Sequence, residues 1–364
     1  MRRRQGKVNR WVLTALAVVS LVLFYLVTRS ERSVRSRLYD VKLASAKLSA
    51  QAFRVMREYR ERLGVPVDMV NDPNGTGLVG LQFSATTYGR SDLSDALTTT
   101  NPNFSAVLVE LLHRAGIRRG DTVAVSWDGT YPALNVQLLA VARTVGFEPV
   151  IVTAQSAGMW GANYPGLTWL DMERLLARAG LWDYRSRFAT LGGETDDGRG
   201  LSPEGRAFLA ASAESAGVPV VTPATLQEGI DRRLEAFGRA KALVSIGHTI
   251  ADVGDPRAKV PSRLIADRTK RTTYGGLIGL LRRSNVPVVH ISNPSQVAIE
   301  YHLPVAPVPM PELGKGRLFF ERRYSTLMAG VFSAILLVLL ALVVRYDFEW
   351  HFGAREENGD KEAV

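Results

Sequence analysis

The chain has 364 residues, 46% of them hydrophobic, and a formal net charge of +10. It contains no cysteine, which excludes disulfides, thiol nucleophiles and Cys-ligated zinc and suits an oxidising compartment. Residues 1–10 hold five of the positive charges, the segment after Val344 holds three basic and six acidic residues, and the part between keeps a formal charge of +8.

Residues 1–10, with Arg2, Arg3, Arg4, Lys7 and Arg10, read as a basic cytoplasmic tail. Residues 11–28 follow as a predicted transmembrane helix, uncharged from Trp11 to Val27. A bilayer core of about 30 Å takes roughly 20 apolar residues in helical form. The run is followed by TRSERSVRSRLYD, which offers no small-residue cleavage site, so an anchor is expected rather than a signal peptide. Residues 29–64 read as a juxtamembrane stalk, with one long helix over 31–63. Its seam of Val34, Leu38, Val41, Ser45, Leu48, Ala52, Val55 and Tyr59 alternates by three and four. That seam either docks the stalk on the domain or pairs two copies as a homodimer.

Residues 65–302 read as an α/β domain. The stretch 64–105 is rich in Gly, Asn, Pro, Thr and Ser and shows no clear order. Helices are then predicted over 104–115, 132–145, 168–179, 203–216, 225–238 and 273–283. Strands are predicted over 122–126, 149–153, 219–221, 242–246 and 287–291. This alternation predicts a mainly parallel sheet covered by helices. Residues 303–323 (LPVAPVPMPELGKGR at the start) form a proline-rich linker. Residues 324–344 are a second predicted transmembrane helix, and 345–364 an acidic C-terminal tail. Two spans put both termini on one side. The arginine-rich N-tail predicts both termini in the cytoplasm and the main domain outside it.

Ligands of open α/β sheets gather at the carboxyl ends of the strands. Three loops there carry polar groups. The first is Ser126-Trp127-Asp128-Gly129-Thr130-Tyr131-Pro132, leading into a helix with Asn135. Its Ser126, Asp128, Gly129, Thr130 and Asn135 are candidate ligand-binding residues, although Asp128 or Thr130 also serves as an ordinary helix cap. The second loop carries His248 and Asp252, a candidate general base and its orienter. With Ser126 or Thr130 as nucleophile these would form a catalytic set. The third loop adds Ser292 and Asn293 as candidate ligand groups. No cofactor and no metal is expected. Gly75-Thr76-Gly77-Leu78-Val79-Gly80 fits G-x-G-x-x-G but lacks a flanking strand and helix. Asp72, Asn74 and Thr76 open a calcium-loop pattern that fails at Phe83, where a bidentate Glu belongs.

The stretches DPNGTGLVG (72–80), TTTNPNFSAVLVELLHRAGIRRGD (98–121) and VAVSWDGTYPALNV (123–136) resemble the poly-gamma-glutamate system proteins. The two-anchor layout is similar as well. In that family the third stretch reads closer to S-G-S-F-P-A-L-N. Here Thr130 keeps a hydroxyl and Asp128 adds a carboxylate. The resemblance implies a two-pass protein of the bacterial inner membrane, an accessory subunit of poly-γ-glutamate synthesis or export. Its expected partners are poly-γ-glutamate or another acidic polymer, the synthase membrane subunits and the lipid bilayer, without nucleic acid. It transfers no catalytic residue. A γ-glutamyl hydrolase or transferase acting on the polymer, and a membrane scaffold, stay open as alternatives.

Overall fold

In the computed structural model, residues 10–266 and 274–359 are described, with side chains for 11–266 and 274–345. The basic tail at 1–9, the predicted helix start at Thr273 and the acidic residues after 359 lie outside them. The chain divides into two compact units, 1–35 with 320–364, and 36–319. The first unit begins with α1 (Arg10–Arg29) and a short strand β1 (Arg32–Arg35). The strand replaces the helix expected over 31–38. Its backbone groups pair antiparallel with residues 320–323, a partner invisible to local periodicity.

The second unit starts at α2 (Tyr39–Arg62). Its inward face is Lys42, Ser45, Ala46, Ser49, Ala52, Phe53, Met56 and Arg60, a row rotated from the expected seam. Small residues face the domain because α2 lies close against its neighbours. Ser45, for example, reaches Thr144 at 2.6 Å. Two buried cations fix the helix. Lys42 pairs with Glu110 at 3.0 Å and donates to the Leu318 carbonyl. Arg60 donates to the carbonyls of Gly77, Val79 and Pro66, so the glycine-rich stretch folds around it. Within that stretch Asp72 accepts from the Gly77 N–H and the Thr76 hydroxyl, so the apparent calcium loop is closed by its own hydrogen bonds.

After α3 (Leu93–Thr99) and α4 (Phe104–Arg114), the central strand β2 (Thr122–Asp128) appears. It leads into α5 (Pro132–Val145), which has Pro132 in its first turn and the left-handed Gly146 at its end. Then come β3 (Glu148–Ala154), the hairpin β4 (Asn163–Tyr164) and β5 (Leu167–Thr168), and α6 (Trp169–Arg178). A Thr168–Asp171 capping box opens α6. β6 (Ser186–Thr190), α7 (Pro203–Ala216), α8 (Leu226–Phe237) and β7 (Ala242–Ile246) follow. The short α9 (Ile250–Val253), β8 (Arg263–Ile265), α10 (Gly276–Arg283), β9 (Val288–Ile291) and α11 (Pro294–Glu300) complete the domain.

The sheet has six strands in the order β6-β3-β2-β7-β9-β8, all parallel except β8 at one edge. β6 and β8 were not predicted; both are edge strands with charged or polar positions that break the apolar run. The expected strand at 219–221 is a single bridge from Val220 to Ala189. One face packs Ala124, Val152, Leu243 and Val288 against Phe237 of α8 and Leu277 and Ile278 of α10. On the other face Trp127 meets Trp169 of α6 edge-on, with ring centroids 5.1 Å apart. The proline-rich segment is docked rather than free. Asn74 donates to the Pro307 carbonyl, and Asn103 bonds Glu312 and Gly314.

Glu173 on α6 is buried and accepts from the backbone N–H and hydroxyl of Ser186, at 2.7 and 2.8 Å. Burial pushes its carboxyl up to about 7 against those bonds. A carboxyl raised in the fold contributes stability fully below the unfolded value and loses it as pH rises through the folded one. Glu173→Gln is therefore expected to remove a fall of about 1 kcal/mol per pH unit between pH 5 and 7. Denaturant titration at stepped pH checks this, and an unchanged slope would contradict it.

The first unit resumes with β10 (Phe320–Arg323), paired to β1 from Arg32↔Arg323 to Arg35↔Phe320, and ends in α12 (Thr326–Gly359). The segments Trp11–Arg29 and Thr326–Arg345, 19 and 20 residues long, are long and apolar enough to cross a membrane, and they are not buried. α1 and α12 lie against each other. Exposed apolar helices of this length are costly in water and neutral in hydrocarbon.

Candidate functional site

The parallel register decides what gathers at the strand ends. Ser126 of β2 lies beside Ser245 of β7, which lies beside His290 of β9. The three polar side chains form one row on the α8/α10 face. The helix α9 lowers Asp252 onto that row. Its carboxylate accepts from the Ser126 and Ser245 hydroxyls, both at 2.6 Å, and Ser245 Oγ is 3.0 Å from His290 Nδ1. All four residues are buried. Burial pushes the Asp252 carboxyl up to about 6, with Arg233 and the two hydroxyls pulling it down. Burial likewise holds His290 down at about 4, so its ring is neutral at pH 7.

Above this row the first loop turns around Asp128. One carboxylate oxygen accepts from the Thr130 N–H at 2.8 Å, the other from the His248 N–H at 2.7 Å. Asn135 donates to the Asp128 carbonyl at 2.8 Å. Burial pushes the Asp128 carboxyl up, while His248 and these bonds oppose the shift. Gly247 makes the arrangement possible. It sits at φ +97°, and a Cβ there would come 2.1 Å from Asp128 Oδ1. Thr130 Oγ1 accepts from the Gly158 N–H at 2.9 Å. Gly129 is buried against Ala157.

The crevice itself is lined by Tyr88, Arg90, Asp128, Ser156, Gly192, Gly193, Asp196, His248 and Thr249, among others, and has a volume of about 50 Å³. It opens where β2, β3, β6 and β7 end, as ligand crevices of parallel sheets do. Asp196, fully buried, is tied to Arg233 of α8 and accepts from the Thr190 hydroxyl at 2.6 Å. Of the sequence-predicted residues, only Asp128 and His248 line this crevice. Ser126, Thr130 and Asn135 lie buried beside it and hold its loops. Ser292 and Asn293 stand at a neighbouring loop, linked by the Tyr131 hydroxyl, which is 3.1 Å from the Ser292 carbonyl and 3.3 Å from His248 Nε2.

The candidate catalytic residues are thus near in the fold but differently connected. Among the described residues no hydrogen bond joins Ser126, Thr130 or Asp252 to His248. Ser126 spends its hydroxyl on Asp252, and Asp252 orients serines rather than the imidazole. Among the described residues no group of three His, Cys, Asp or Glu could hold a metal. Sequence reading missed Tyr88, Arg90, Ser156, Gly192, Gly193, Asp196 and Thr249. The Gly192-Gly193 pair after β6 was the available signal. Both glycines have positive φ, and a Cβ on Gly192 would strike Ser156 Oγ at 2.1 Å. The chain matches no family model, no curated protein and no solved structure.

Proposed function

We propose that this protein is a membrane-anchored accessory subunit of poly-γ-glutamate synthesis or export, with polymer or a partner subunit bound at the strand-end crevice. One observation carries binding over catalysis: the Ser126 hydroxyl is buried and committed to Asp252 at 2.6 Å. That serine is fully buried and does not line the crevice, and the exposed imidazole of His248 is joined to Tyr131 rather than to it. The polymer itself is suggested by the three family-like stretches and by the +8 charge between the tails. Full-length protein in lipid nanodiscs is expected to bind poly-γ-glutamate at low salt. It should lose most of that affinity near 0.5 M salt, where the screening length is roughly 4–5 Å. Equal binding of an unrelated acidic polymer would reduce the interaction to charge attraction, and no binding at any salt would point to a protein partner.

The two apolar helices are proposed to span the inner membrane with both termini in the cytoplasm. A reporter fused after Val364 should be active only in the cytoplasm, and protease added to spheroplasts should cut the 36–319 unit. A protected unit with an exposed C-tail would reverse the topology.

A further inference from the structure

The crevice walls carry charges of both signs, and the pairing inside the fold decides which of them a ligand meets. Asp196 is fully buried and spent on Arg233 and Thr190. Asp128 is different. It lines the crevice and takes one N–H at each oxygen, and a carboxylate accommodates about four donors, so acceptor capacity remains. Arg90 is exposed and, among the described residues, has no ion pair. The Thr249 hydroxyl is the third group with unused hydrogen-bonding capacity. Thr249 is 5% exposed, and its oxygen is buried without a hydrogen-bond partner. A buried polar group left unpaired costs about 1–3 kcal/mol, a cost that a bound ligand would relieve.

These open groups are one acceptor with negative charge and two donors, one of them positive. A plain anion would meet Asp128 unfavourably, and a plain amine would meet Arg90 unfavourably. A group with both charges on neighbouring atoms satisfies all three. The crevice volume of about 50 Å³ suits a head group of a few heavy atoms. We propose that the crevice binds the head group of an α-amino acid, its ammonium at Asp128 and its carboxylate at Arg90 and Thr249.

That chemistry has two sources, a free amino acid and the amino end of a γ-linked glutamyl chain. In such a chain only the first residue keeps a free α-amine beside its α-carboxylate; internal units have the amine locked in an amide. For the second source the inference rests on the polymer reading above, and it makes the crevice a reader of chain ends rather than of polyanion charge.

The test uses full-length protein in lipid nanodiscs and calorimetric titration with glutamate, γ-glutamylglutamate, N-acetylglutamate and glutarate. Glutamate or γ-glutamylglutamate is expected to bind at least tenfold more tightly than the two ligands without an ammonium. Tighter binding of the dipeptide assigns the chain end, and tighter binding of glutamate assigns the free amino acid. Arg90→Gln, at an exposed position, is expected to weaken the preferred ligand tenfold or more. Asp128→Asn is expected to erase the preference for an ammonium, and should it fail to fold, the ligand series with Arg90→Gln decides alone. Glutarate binding as tightly as glutamate would overturn the inference. Amine-capped poly-γ-glutamate binding as tightly as the free polymer would overturn the chain-end source and leave the polymer reading standing. Absence of binding by every small ligand and by the polymer would remove both.

Discussion

Arg233→Met is expected to destabilise the protein by about 3–5 kcal/mol. The guanidinium is fully buried on α8. It bonds both oxygens of Asp196, the Gly229 carbonyl and the Thr190 hydroxyl. Methionine fills similar volume but, among the described residues, leaves the buried Asp196 carboxylate with only Thr190 to donate to it. Removing one partner of a buried pair strands the other charge, whereas removing both is often nearly neutral. The double variant Arg233→Met/Asp196→Asn should therefore recover most of the loss. Asn suits the site because Asp196 has φ +68°, a left-handed conformation that Asn tolerates. Denaturant midpoints of the single and double variants check this. A double variant as unstable as Arg233→Met would show that packing, not charge, is what the arginine supplies. Because Asp196 lines the crevice, the single variant should also lose ligand binding.

Gly247→Ala is the second large effect. The residue holds φ +97°, and its added Cβ would come within 2.1–2.8 Å of three carboxyl atoms of Asp128. Those atoms are held by the Thr130 and His248 backbones, so the carboxylate has little freedom to retreat. Strain and overpacking together are expected to cost about 3 kcal/mol or more. Gly217→Ala separates the two contributions. It also has positive φ, +68°, but its Cβ would meet nothing within 4 Å, so only the backbone penalty of about 1–2 kcal/mol applies. Equal losses for both variants would mean that the Asp128 contact is not rigid.

Much of the fold was legible because its central strands obey a local rule. Thr122–Asp128, Glu148–Ala154, Ala242–Ile246 and Val288–Ile291 are short Val/Ile-rich runs between capped helices, the pattern of a buried parallel sheet. What escaped was set by partners far along the chain. β1 exists because Phe320–Arg323 pairs with it. β8 contributes only three residues and pairs antiparallel with β9. Arg60 and Lys42 are buried against the periodicity because carbonyls and Glu110 from other segments receive them.

The candidate site was legible in its first loop and not in its wiring. Strand-end position singled out Ser126, Asp128 and His248. It could not show that register places Ser126, Ser245 and His290 in one row, nor that Asp252 would close that row instead of reaching His248. The crevice's other wall comes from loops whose side chains, Arg90 and Ser156, carry no motif. The order β6-β3-β2-β7 places Ser156 there, and a bridge from Thr87 to Ala157 brings the segment of Arg90 beside it, neither of which a single sequence states.

We propose that the crevice at the ends of β2, β3, β6 and β7 is where this domain holds its ligand. Hydrogen–deuterium exchange on the full-length protein in nanodiscs, with and without poly-γ-glutamate, tests it most directly. Slowed exchange is predicted in the peptides spanning residues 86–91, 128–131, 155–158, 192–197 and 247–250, with the remaining surface unchanged. Protection confined to α2, where Lys47, Arg54 and Arg57 are exposed, or an exchange pattern that the polymer leaves unaltered, would contradict it.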